Sequence, residues 1–209
     1  MADTAGPTAR SKRHRVDDPH VAPLNALARR WRTDGRFVPW FDPDGGGVRA
    51  EVLLLMETPG PATVAAGDRG FSSEDNPDPT ARALRAARAD SGLRADQCVR
   101  WNVVPWALRD DSGRWRAPRV ADVRSAGPML AELVTALPDL HVVITFGAAA
   151  SSGWGRLLTL HERPRPVFTL AVPHPSQRNT HAREEADTRL RNALRTAARW
   201  CVEPRSATT

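Results

Sequence analysis

Residues 51–57 read Glu-Val-Leu-Leu-Leu-Met-Glu, and Pro59-Gly60 close the run. A strand with one wet face alternates apolar and polar side chains. Five apolar residues in a row fit a strand covered on both faces. Three further segments read as strands: Val99–Val104, His141–Phe146 stopped by Gly147, and Val167–Val172 running into Pro173-His174-Pro175-Ser176. Helical patterns lie between them. Pro23–Thr33 places Leu24, Leu27 and Trp31 at helical spacing, and Thr80–Asp90 has Thr80 as its N-cap and Gly92 as its stop. Val120–Leu137 is helical despite Gly127-Pro128. Ala148–Leu160 follows the third strand, and Thr180–Trp200 closes the series with Glu184 and Glu185 in its first turn, where the helix dipole favours anions. Val38–Phe41 is short and extended, before a strong turn at Asp42–Gly47.

Strands alternating with helices imply an α/β fold, a three-layer α/β/α sandwich around a mostly parallel sheet. In such sheets the ligand crevice lies beyond the carboxyl ends of the strands. Thr58-Pro59-Gly60, Pro105-Trp106, Gly147 and His174-Pro175-Ser176 are therefore expected to converge, with Asn102 near the end of its own strand.

A chain of 209 residues, 41% apolar, suits one domain with a sizeable core. Residues 1–20 and 203–209 read as disordered tails around a domain at 21–202. No apolar run approaches the ~18 residues of a membrane span, and the polar start lacks a signal-peptide segment. The expectation is a cytoplasmic monomer. Of 30 basic residues 29 are arginine, at a net charge of +6. Arginine's planar fork suits phosphates and bases, yet the same bias follows from a GC-rich coding sequence. Cys98 and Cys201 form no Cys-x-x-Cys pair, so no zinc ribbon or iron–sulfur cluster is expected and both read as free thiols. Residues 72–80 carry several acids without the spacing of a calcium loop and read as a turn-rich connection. Gly147–Gly153 is not Gly-x-Ser-x-Gly, and neither a dinucleotide fingerprint nor a Gly-Lys-Ser/Thr loop is present.

Three motifs in order resemble the uracil-DNA glycosylase superfamily: Met56-Glu57-Thr58-Pro59-Gly60, similar to the Gly-Glu-Ala-Pro-Gly motif of the family-4 enzymes; Trp101-Asn102-Val103-Val104; and His174-Pro175-Ser176. With the elements between them the resemblance covers roughly residues 36–200. It implies a four-stranded parallel sheet in the order 2-1-3-4 and hydrolysis of the N-glycosidic bond of uracil, or a related deaminated base, in DNA. The partner is DNA containing a damaged base, with no metal or other cofactor. Met56 replaces a glycine, Thr58 an Ala, Asp or Asn, and Gln177 a proline. The four iron–sulfur cysteines of family 4 are absent.

Glycosidic cleavage leaves an oxocarbenium-like sugar and an anionic base. The resemblance makes His174 the donor to the base O2, Glu57 the group that positions or deprotonates water, and Thr58 a weaker orienter of that water. Asn102 matches the O4 and N3–H edge of uracil, Pro59 and Gly60 let backbone approach the substrate, and Phe71 stacks on the flipped base. Ser176 contacts a phosphate, and Gln177 and Arg178 fill the gap left in the duplex. Each has a plainer alternative. Glu57 caps a helix or pairs with an arginine, Phe71 belongs to the core, His174 and Asn102 bond to backbone, Pro59-Gly60 is a strand-ending turn, and 176–178 is a solvated loop. For the whole chain the alternative is a catalytically weak or inactive DNA- or nucleotide-binding protein on the same fold.

Overall fold

The computed structural model describes residues 12–33, 35–161, 166–174 and 183–202. In chain order the strands are β1 (Trp40–Phe41), β2 (Val52–Met56), β3 (Phe71–Ser72), β4 (Cys98–Asn102), β5 (Val142–Phe146) and β6 (Phe168–Val172). The helices are α1 (Ala22–Trp31), α2 (Pro61–Ala65), α3 (Pro79–Asp90), α4 (Val120–Thr135), α5 (Ala148–Leu160) and α6 (Arg183–Val202). The main sheet runs β4-β2-β5-β6 and every neighbour pair is parallel. That is the expected order, because β2, β4, β5 and β6 are the four strands read from the sequence.

The unbroken apolar runs divide by alternation. Leu53, Leu55, Val99, Trp101 and Val143 face one cluster, closed by Leu24 and Trp31 of α1, Leu130 and Leu133 of α4, and Trp154 of α5. Val52, Leu54, Met56, Cys98, Val142, Ile144 and Phe146 face the other, closed by Leu84 of α3 and Leu190, Ala193, Leu194 and Ala197 of α6. Two dry faces require apolar residues at both parities. β6 departs from this pattern. It lies at the sheet edge, and Val172 is its one buried residue. Among the described residues no helix is long and apolar enough to cross a membrane.

Two expectations are corrected. The first is the tail. Residues 12–20 pack onto the domain: Val16 is buried, and the Asn25 carboxamide donates to the Val16 carbonyl at 2.9 Å. Lys12, the single lysine of the chain, is 2% exposed and lies 2.8 Å from Asp42, 3.1 Å from Asp44 and 2.6 Å from Asp75. Burial pulls its proton affinity down, and the aspartates led by Asp42 more than reverse the effect. The acidic 72–80 segment is thus in part the counter-charge of this buried ammonium. The second concerns α3, where Asp78, not Thr80, is the N-cap and accepts from the Ala81 N–H at 2.8 Å. Pro79 sets helical φ at the first position, so the cap falls one residue earlier, on a carboxylate. The extended segment Val38–Phe41 contains β1, while its partner β3 and the small β1-β3 sheet, whose strands are two residues each, were not expected.

Candidate functional site

Beyond the carboxyl ends of the strands, β4 is tied to β2 and β5 to β6. Val103 N–H donates to Met56 O at 2.8 Å, Val104 N–H to Glu57 O at 3.0 Å, and Gly147 N–H to Val172 O at 2.9 Å. These bonds fix Glu57, Asn102 and His174 along one rim of the sheet. Asn102 is the register partner of Met56, and His174 follows β6 after Pro173.

Glu57 leaves β2 toward the amino end of α5. Its Oε1 accepts from Ala149 N–H at 3.2 Å, a carboxylate at a helix N-terminus. Gly147 makes the approach possible. It has φ +91°, and a β-carbon there would sit 2.5 Å from Glu57 Oε1. Helix capping, the plainer alternative for Glu57, is therefore present, and only Oε1 takes part in it among the described residues.

His174 is half-buried. Burial lowers its pKa below the ordinary 6.5, the Glu57 carboxylate offsets part of that, and Arg100 adds to it. The neutral imidazole is the favoured form at neutral pH. Glu57 and His174, 117 residues apart in the chain, are thus within each other's field. Arg100 is a site neighbour that sequence reasoning missed. Its Nη1 donates to the Ser73 carbonyl, and its buried Nε has no partner among the described residues. Asp78 is a second such neighbour, its charge raising the His174 proton affinity. The signal for Arg100 was a cation between Cys98 and Asn102 on the inward parity of a strand, where a charge needs a reason.

Asn102 is 4% exposed at the end of β4. Its neighbour Trp101 turns to the opposite face and stacks on Phe41, ring centroids 3.8 Å apart, which holds the strand end in place. Met56, 2% exposed, points to the same face as Asn102 and belongs to the apolar cluster there. Thr58 is half-buried and Pro59 is buried. Gly60 opens α2 with ordinary φ and with open space where a β-carbon would sit. Gly60 is exposed. Phe71 resolves toward the core: it is 2% exposed, pairs with Trp40 across the small sheet and belongs to the larger apolar cluster. Ser176, Gln177 and Arg178 lie outside the described residues.

A separate cleft of about 230 Å³ beside β4 is lined by Ser72, Glu74, Arg85, Arg88 and Arg100 among others. Its charges are largely paired, Arg88 with Glu74 at 2.7 Å and Arg85 with Asp75 at 2.6 Å, and none of the expected site residues lines it.

A rim carrying a carboxylate, a carboxamide and a neutral imidazole can hold a polar heterocycle and act on a bond next to it. The family model described as the uracil DNA glycosylase superfamily matches residues 43–198, well over half of the chain. No curated protein matches it.

Proposed function

The chain belongs to the uracil-DNA glycosylase superfamily, and from that premise we propose that it excises uracil, or a related deaminated base, from DNA by flipping the nucleotide out and hydrolysing its N-glycosidic bond. The observation that carries this reading is the family match over residues 43–198, with Glu57 and Asn102 at neighbouring strand ends and His174 following β6 at the same rim.

Cleavage needs stabilisation of a pyrimidine anion and a water for the sugar. His174, neutral by burial, donates an N–H toward the base O2 as charge develops there. A neutral donor suits the role, since it keeps its proton while polarising the oxygen. Glu57 has Oε1 held by α5 and offers Oε2 to a water, which Thr58 helps to orient. Asn102 presents donor and acceptor side by side to the uracil edge, while the buried Pro59 and open Gly60 let backbone approach the base. Ser176 meets a phosphate, and Gln177 and Arg178 fill the vacated stack. Polar readout rejects bases with the wrong pattern far better than apolar fit does.

The test uses single- and double-stranded oligonucleotides carrying one uracil or one cytosine, with abasic sites measured after alkaline cleavage. The wild type is expected to cut at uracil. Asn102→Asp is expected to lose much of its preference for uracil over cytosine, and unchanged selectivity would remove Asn102 from the base pocket. Met56 favours a second reading, a base-binding protein without catalysis, because its thioether fills the face that Asn102 shares. Retarded oligonucleotide in a gel without abasic sites, at high protein concentration, would select that reading.

A further inference from the structure

At the opposite end of the sheet, Glu51 precedes β2, His141 precedes β5, and Cys201 lies in the last turn of α6. Their ligand atoms all lie within 4.8 Å of one another. His141 Nε2 is 3.4 Å from Glu51 Oε2 and 4.0 Å from Cys201 Sγ. We propose that Glu51, His141 and Cys201 form a binding site for a borderline divalent transition ion, zinc foremost, remote from the base-binding rim.

Four observations support it. The first is the donor set. A carboxylate, an imidazole and a thiolate together suit zinc rather than magnesium or calcium, which take oxygen alone. The second is spacing. Zinc bonds of ~2.0 Å to N and O and ~2.3 Å to S give tetrahedral edges of about 3.3 Å for N···O and about 3.5 Å for N···S. The 3.4 Å pair already fits, and the 4.0 Å pair needs a shift of roughly half an ångström, within reach of one rotamer adjustment at Cys201.

The third is the histidine tautomer. His141 Nδ1 lies 2.8 Å from the Asp139 carbonyl, which can only accept, so Nδ1 carries the proton. In the neutral ring Nε2 then presents a lone pair toward the Glu51 carboxylate. The gap between these two acceptors is closed either by a proton on Nε2 or by a metal ion that both can ligate. A ring nitrogen anchored to a carbonyl while the other faces the ion is the usual outer support of a metal-bound histidine. The fourth is rigidity. His141 N–H and Val142 N–H both donate to Glu51 O at 3.1 Å, and Glu51 N–H donates to Gln97 O at 2.9 Å. Two ligands thus sit on locked strand starts. Cys201 continues the inward stripe of α6 that runs through Leu190, Ala193, Leu194, Ala197 and Ala198. Arg94, the nearby cation, is engaged by Asp96 at 2.9 Å. All three ligands are half-buried, which leaves a fourth position for water. On binding, the Cys201 thiol gives its proton to solvent. The ion would pin the end of α6 to β2 and β5.

The test takes the full chain, freed of metal by chelation and dialysis, and titrates Zn²⁺ by calorimetry and Co²⁺ by absorption. One equivalent of Zn²⁺ is expected, with a raised Tm, and Co²⁺ is expected to give a sulfur-to-cobalt charge-transfer band that Zn²⁺ abolishes. Cys201→Ser should erase the band and weaken Zn²⁺ binding by roughly 100-fold or more, while Cys98→Ser should keep both. His141→Gln and Glu51→Gln carry the same test should Cys201→Ser fail to fold. Absence of stoichiometric Zn²⁺ binding by the wild type, with a proton shared in the corner instead, overturns the proposal. So does a band that survives loss of Cys201 or vanishes with Cys98.

Discussion

Strand β2 has a glutamate at each end, and each glutamate meets a histidine from across the sheet, yet the two ends are built differently. At the carboxyl end one oxygen of Glu57 is held by the amino end of α5, and Glu57 acts on His174 through the field that Arg100 and Asp78 also shape. At the amino end Glu51 and His141 stand 3.4 Å apart with a thiol beside them, with no helix N-terminus among the bonds of the three side chains. One arrangement ties a carboxylate oxygen to a helix N-terminus, while the other gathers three ligand atoms within 4.8 Å of one another. Residue type alone does not separate the two proposed sites. The surrounding dipoles do.

His174→Ala offers the sharpest break in this comparison. Losing a donor to the developing anion is expected to cut uracil release by ~10²–10³ with Tm near that of the wild type. Chelation, which strips the opposite corner, should leave the release rate unchanged while lowering Tm. A rate that falls on chelation and returns with zinc would join the two ends into one catalytic system and end the distinction.

Gly147→Ala comes next and probes how Glu57 is held. The new β-carbon would meet Glu57 Oε1 at 2.5 Å on a backbone with φ +91°. The variant is expected to lose about 2 kcal/mol of stability in urea titration. Its rate should also fall, because the carboxylate must leave the amino end of α5. A variant as stable and as active as the wild type would mean that Glu57 does not need this approach.

Much of this was legible before any coordinates. β2 and β5 announce themselves as apolar runs closed by Pro or Gly, and the rule that ligands gather beyond strand ends then singles out Glu57, Asn102 and His174 from the residues that follow. Val38–Phe41 read as extended, but its pairing with β3 was not legible, because a two-residue strand such as Phe71–Ser72 has no period to detect. Lys12 sat in a segment too polar to read as packed, since nothing local reveals that Asp42, Asp44 and Asp75 gather around it. Phe71 was read by its place after a glycine-rich loop, and its burial could not be seen without the strand it pairs with. The Glu51, His141 and Cys201 corner joins residues from distant parts of the chain with no motif between them. Arg100 needed the neighbouring Ser73 and His174 in place before its role could be read.

The smallest expected effect concerns the protonation of His174. Its folded pKa lies below the ordinary 6.5 because burial disfavours the imidazolium, with Glu57 opposing in part. Above pH 6.5 both folded and unfolded chains carry it neutral, and its contribution to stability is fully present and constant. As pH falls below 6.5 the unfolded chain takes up a proton that the folded chain still refuses. The unfolded state then binds more protons, so the free energy of unfolding declines with falling pH until the folded pKa is passed. Urea titrations at successive pH values should therefore give a shallower acid-side decline in His174→Asn than in the wild type, with the curves parallel above 6.5. An acid decline that is no steeper in the wild type would mean that the imidazole is solvated and charges freely in the folded protein, and the rim would lose the neutral donor that sets it apart from the far end of β2.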